Sequence, residues 1–226
     1  MIVKKSFNFS SRSILLFTLL LFGLAFILGC SKDSNDSTET EGPVGPTDPE
    51  VTESETPVGP SILKINCGGE ELTYGSEVFQ EDKYFTGESV AFFNPVATEI
   101  ANTEKDILYL GQRNSGETLK TFGYNIPVTN GTYTVKFHFA EIAYGALNSP
   151  NYPGEEGRQV FSVDVEGKNK IKNLDIFKEV GALYAITRMY DVEVSDGELT
   201  ISLEAFIGRP ALAAIEIFGD GEIVID

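Results

Sequence analysis

From Ser61 onward, apolar and polar residues alternate with a period of two, in short runs broken by turn residues. Successive side chains of a strand point to opposite faces, so Thr132 to Phe139 puts Tyr133, Val135, Phe137 and Phe139 on one side. Arg158 to Val165 repeats the pattern through Val160, Phe161, Val163 and Val165 and stops at Glu166-Gly167. Tyr190–Val194 and Leu199–Leu203 flank Asp196-Gly197, a pair that favours a tight hairpin turn. Ile62 to Cys67 reads as an opening strand and Ala211 to Phe218 as a closing, mostly buried one. A long 3.6-residue period occurs nowhere in this part of the chain; Ile171 to Val180 has room for one short helical turn. Many short strands at this spacing predict an all-β domain, an antiparallel β-sandwich of jelly-roll type.

A different pattern occupies the start. Ile14 to Leu28 is an apolar run of 15 residues interrupted by Thr18 and Gly23, behind Lys4, Lys5 and Arg12. A bilayer span needs about 20 apolar residues, so the run fits a signal sequence better than a transmembrane helix. Ile27-Leu28-Gly29-Cys30 resembles the lipobox of bacterial lipoproteins, which implies removal of residues 1–29 and lipidation of Cys30; a membrane anchor with a chance cysteine is the alternative. Residues 30–60 are rich in Ser, Thr, Glu, Asp, Gly and Pro, and Pro-Val-Gly-Pro occurs twice, at Pro43 and Pro57. Such a segment cannot bury enough apolar surface to offset its ordering entropy, and it is expected to be a disordered tether of roughly 30 Å reach. The folded domain is then 61–219, with 220–226 as a C-terminal tail. Ser31 after Cys30, followed by Asp33 and Asp36, resembles lipoproteins of the outer membrane, periplasm-facing or surface-exposed, in Bacteroidetes-like bacteria.

Charge narrows the partners. The formal net charge of −17 becomes −20 without Lys4, Lys5 and Arg12; residues 31–60 carry −7 of this, leaving −13 on the remainder. A surface of that sign repels phosphate backbones, and no basic cluster offsets it, so nucleic acid is not an expected partner. If Cys30 is lipidated, Cys67 has no partner for an intrachain disulfide and reads as a small buried hydrophobe.

Most catalytic signatures are absent. His138 is the single histidine and faces away from its core-facing phenylalanine neighbours, which reads as a satisfied strand residue rather than a zinc ligand or triad base. Gly68-Gly69 lacks the spacing of a phosphate loop, and a structural calcium ion has no sequence support. A glycosidase needs two carboxylates about 5 or 6.5–9.5 Å apart, which an acid-rich sequence leaves open. Asn130-Gly131-Thr132 matches a glycosylation sequon but reads as a hairpin turn.

Several runs, in order, resemble one family. Ile65-Asn66-Cys67-Gly68-Gly69, then Leu108-Tyr109, Arg113 and Phe122-Gly123-Tyr124-Asn125-Ile126-Pro127, are similar to the opening and middle motifs of malectin domains. Phe137-His138-Phe139-Ala140-Glu141, Arg158 to Val163, Asn173 to Phe177 and Ala213 to Ile217 resemble its later strands. The resemblance covers about Ile62 to Gly219 and implies a jelly-roll carbohydrate-binding module without catalytic activity or cofactor.

The animal members' sugar contacts are aromatics and one acid on loops at one end of the sandwich. On this alignment one tyrosine becomes Asn114, an aromatic pair becomes Ala143-Tyr144, another tyrosine falls near Phe92-Phe93, and the aspartate falls near Gly208-Arg209, where no acid stands. The sugar preference is therefore not expected to carry over. Ala143 to Gly157 holds Tyr144 and Tyr152, lacks strand pattern and reads as a binding loop or a structural Ω-loop. As adjacent strand residues, Phe92 and Phe93 should face opposite sides. The resemblance implies stacking of a sugar ring on Tyr144 and one of that pair, with Arg113, Asn114 and Arg209 holding hydroxyls. The arginines could equally pair with surplus carboxylates. The expected whole is a lipid-anchored, non-catalytic capture protein for oligo- or polysaccharide at the envelope, working beside enzymes or transporters. An envelope interaction module whose pocket no longer holds sugar is the first alternative, and a glycoside hydrolase the second.

Overall fold

The computed structural model describes residues 52–225. The predicted signal sequence, Cys30 and the first part of the tether lie outside the described residues. Among those described, no helix is long and apolar enough to cross a membrane.

The strands in chain order are β1 (Ser61–Asn66), β2 (Leu72–Tyr74), β3 (Glu77–Phe79), β4 (Phe85–Thr86) and β5 (Ser89–Phe93). After the short helix α1 (Asp106–Leu110) come β6 (Gly111–Ser115), β7 (Thr121–Pro127), β8 (Gly131–Phe139), β9 (Val160–Val165) and β10 (Lys168–Leu174). The one-turn helix α2 (Ile176–Val180) precedes β11 (Ile186–Val194), β12 (Glu198–Ile207), β13 (Ala211–Leu212) and β14 (Ala214–Gly219).

Two antiparallel sheets, ordered β1-β14-β8-β11 and β10-β9-β12-β7-β4, form the sandwich. The period-two faces meet between them: Tyr133, Val135, Phe137 and Phe139 of β8 belong to one buried cluster with Tyr124, Phe161, Val163, Ile201 and Leu203 of the other sheet. Each fully buried side chain of this size contributes roughly 1.5–3 kcal/mol of transfer free energy. Gly123 is required where β7 meets β12, because a Cβ there would overlap the Ile201 carbonyl oxygen. The helical turn expected within Ile171–Val180 is α2, whose N-cap Asp175 accepts the Lys178 N–H at 3.0 Å. Helix α1 was not legible from periodicity; its Leu108, Tyr109 and Leu110 build a second cluster with Phe79, Ala140 and Ile142 on the outer side of β8.

Where composition predicts an unfolded tether to Pro60, its last residues are held along the sheet. The Ser54 N–H donates to the Met189 carbonyl at 2.7 Å, the Val58 N–H to Thr134 Oγ1 at 2.8 Å, and the Gly219 N–H to the Pro60 carbonyl at 2.9 Å. The tail after Gly219 pairs too, through the Thr129 N–H to Glu222 and the Val224 N–H to Pro127. The first segment thus gives the edge strand β11 a partner for the Met189 carbonyl, and the tail gives the end of β7 one for the Pro127 carbonyl.

Candidate functional site

Strand register decides which loops gather. Ile207 at the end of β12 lies opposite Val160 at the start of β9, and Glu204 opposite Thr121 at the start of β7. The turn after β12, the loop before β9 and the turn before β7 therefore share one end of the sandwich. A third sheet, β13-β6-β5, sets Asn114 of its central strand between Ala211 and Val90. These segments enclose a cleft of about 360 Å³, within the range of roughly 300–1,000 Å³ common for small-molecule sites.

Phe92, Asn114, Tyr144 and Arg209 all line this cleft. Tyr152 joins them, and the Tyr144 and Tyr152 rings stand 5.5 Å apart at 59°. The Oδ1 of Asn114 is buried without a hydrogen-bond partner among the described residues. Thr118, Asn151 and Gln159 also line the cleft. Sequence reasoning singled out none of these three: Gln159 sits in a strand-like run, and its neighbours Arg209 and Asn114 are far away in the chain.

The loop from Ala143 to Gly157 is fixed at both ends by carboxylates. Glu141 Oε1 accepts the Ala143 and Tyr144 N–H groups, each at 2.8 Å, and Asp175 Oδ2 accepts the Gly157 N–H at 2.6 Å. Within the loop, the Gly145 N–H donates to the Tyr152 carbonyl at 3.0 Å, which draws the two tyrosines together. Phe177 of α2 lies beneath: a Cβ at Gly145, whose φ is +77°, would press on its ring, and Gly154 approaches the same ring. Asn94 ties β5 to the loop's start, donating to the Ile142 carbonyl at 2.7 Å. Burial pushes the Glu141 pKa up to about 7 against the pull of its two N–H partners, with the Asp175 charge adding to the rise.

Two residues predicted for the site are elsewhere. Arg113 does not line the cleft: its Nε donates to Asp82, its Nη1 donates to Ser89 Oγ at 2.9 Å, and its guanidinium covers the Phe85 ring at 3.6 Å. Asp82 also accepts the Gly68 N–H at 2.5 Å and the Tyr124 hydroxyl at 3.0 Å. Arg113 is therefore a charge partner, the alternative its sequence context left open. Phe93 faces away from Phe92, is 56 % exposed and lies outside the cleft. His138 is buried as a satisfied strand residue. Burial lowers its pKa against the pull of Glu216, leaving a neutral ring that accepts from the Tyr109 hydroxyl at 2.7 Å and donates to Glu216 at 2.8 Å. The Glu216 carboxylate is held ionised despite its own burial by His138 and by Lys64, 2.6 Å away.

Comparison with known proteins agrees with this architecture. The model of the Malectin domain family matches residues 61–220. A probable LRR receptor-like serine/threonine-protein kinase of Arabidopsis thaliana is 28% identical over 165 residues, covering 63% of this chain and 17% of its own length. Malectin of Homo sapiens is 31% identical over 112 residues, covering 48% of this chain and 34% of its own. The chain thus spans between 17% and 34% of the length of these two curated relatives. Among solved structures, the ANXUR2 extracellular domain from Arabidopsis thaliana superposes with a TM-score of 0.58 at 17% identity, over 73% of this chain and 49% of that one. A Bacteroides uniformis β-glucuronidase superposes with a TM-score of 0.53 at 19% identity, over 72% of this chain and 18% of that one. At such identities these two show a shared fold. With every strand of the sandwich inside the matched span, the chain belongs to the Malectin domain family.

Proposed function

We propose that this chain is a non-catalytic carbohydrate-binding protein, anchored through lipid on Cys30 at a bacterial outer membrane, where it captures oligo- or polysaccharide for neighbouring envelope enzymes or transporters. The observation that carries the reading is the Tyr144–Tyr152 pair facing a cleft that Phe92 and Asn114 also line. Pyranose rings present apolar C–H faces that stack on aromatics, and their hydroxyls donate to acceptors of this kind. Neither aspartate nor glutamate is among the lining residues, so the cleft offers no carboxylate pair for glycoside hydrolysis.

A glycan array spanning α- and β-glucans, uronic-acid polymers and host glycans, probed with the full chain, tests the binding. Saturable capture of at least one class is expected, and silence across the array overturns the reading. Incorporation of labelled fatty acid, lost in Cys30→Ser, tests the anchor. A second reading, a module that docks a protein partner at this end of the sandwich, is favoured by the exposure of Leu119, Phe206 and Ile207 close to the cleft wall at Thr118 and Gly208.

A further inference from the structure

The charge inside the cleft is opposite to that of the domain around it. The folded region carries a large acidic excess, yet the cleft lining contains no carboxylate, and its one charged side chain is Arg209. The other arginines among the described residues are neutralised: Arg113 by Asp82, Arg158 by Glu155, and Arg188 by Glu53 and Glu179. Arg209 has no carboxylate partner among the described residues, on a surface where acids outnumber bases. A lone guanidinium at a cleft wall is a donor fork matched to a planar carboxylate.

The backbone around it is built to present it. Gly208 has φ of +70°, and a Cβ there would meet the Arg158 carbonyl oxygen at 2.5 Å. The Leu119 N–H donates to the Gly208 carbonyl at 2.8 Å, and buried Gln159 donates from Nε2 to the Arg209 carbonyl. The turn is fixed while the Arg209 side chain stays exposed and unpaired. Tyr144, Tyr152 and Asn114 line the same cleft as Arg209.

Resting on the reading of this cleft as a sugar site, we infer that its ligand is an acidic saccharide, a uronate residue whose carboxylate is held by Arg209 while its ring lies on the tyrosine pair. A neutral sugar would leave the guanidinium without a counter-charge. An acidic one gains a charge-assisted hydrogen bond, expected to favour it by about tenfold or more and to weaken with salt.

The test compares a glucuronic-acid oligosaccharide, its carboxyl-reduced neutral counterpart and a sulfated neutral oligosaccharide of equal length, by calorimetry on the full chain. Wild type should prefer the uronate over the neutral form by about tenfold at low salt, with the preference falling at high salt. Arg209→Ala and Arg209→Glu should erase that preference at unchanged thermal stability, because the side chain makes no contact that folding requires. Equal binding of uronate and neutral forms, still lost in Tyr144→Ala, would overturn the acidic ligand and leave the sugar site standing. Tighter binding of the sulfated form would overturn the carboxylate in favour of sulfate. Absence of binding to all three and to the glycan array overturns the sugar site itself.

Discussion

Replacing Arg113 by alanine removes one member of a buried ion pair. The Arg113 and Asp82 side chains are 9% and 6% exposed, so solvent does little to screen the charge left behind. Breaking such a pair from one side costs roughly 3–5 kcal/mol, and loss of the guanidinium over Phe85 adds up to about 1–2 kcal/mol of cation–π contact. Two groups remain on Asp82, the Gly68 N–H and the Tyr124 hydroxyl, and they recover part of the loss. A net destabilisation of about 4 kcal/mol is expected. In a domain of this size each kcal/mol lowers the unfolding temperature by roughly 2–4 °C, giving a fall of about 8–16 °C. Scanning calorimetry of the wild-type and Arg113→Ala chains measures it. A variant that keeps its unfolding temperature but loses sugar binding would refute the reasoning and make Arg113 a ligand contact.

Three further outcomes follow from the packing. Gly123→Ala should yield little folded protein, because its Cβ overlaps the Ile201 carbonyl oxygen; a soluble variant with wild-type circular dichroism and unfolding temperature would contradict the close approach of β7 and β12. Glu141 has a folded pKa raised to about 7 from an ordinary 4.5, so its contribution to stability is complete below about pH 4.5 and is lost as pH rises through about 7. Denaturant titrations of wild type and Glu141→Gln should therefore diverge by about 2–3 kcal/mol in the variant's favour between pH 5 and pH 8, and a constant difference would refute the buried carboxylate. Burial raises the Cys67 thiol well above its usual pKa, so a thiol reagent at pH 8 should label it only after unfolding; rapid labelling of the native chain would refute its burial.

Most of the sandwich was legible because its strands alternate strictly. In β8 the pattern through Tyr133, Val135, Phe137 and Phe139 is local, and the large apolar side chains of that face leave it a single register in the sandwich. Helix α1 was not legible, since its Leu108, Tyr109 and Leu110 are buried in a row against Phe79, a residue distant in sequence, rather than on one periodic face. The loop from Ala143 to Gly157 was visible by its lack of alternation, and the opposed faces of Phe92 and Phe93 followed from adjacency. Which of the two enters the cleft depends on how β5 pairs with β6, and that is settled by tertiary packing. The fate of Arg113 turned on Asp82, 31 residues away, with no local signal joining them. Gln159, Asn151 and Thr118 reach the cleft only through the gathering of loops at one end.

The most direct measurement of the central claim is calorimetric titration of the full chain and its Tyr144→Ala variant with the best glycan from the array, alongside their unfolding temperatures. Saturable wild-type binding, weakened at least about tenfold in the variant at an unchanged unfolding temperature, is the predicted result. Equal affinity in both proteins would contradict a sugar site at the tyrosine pair.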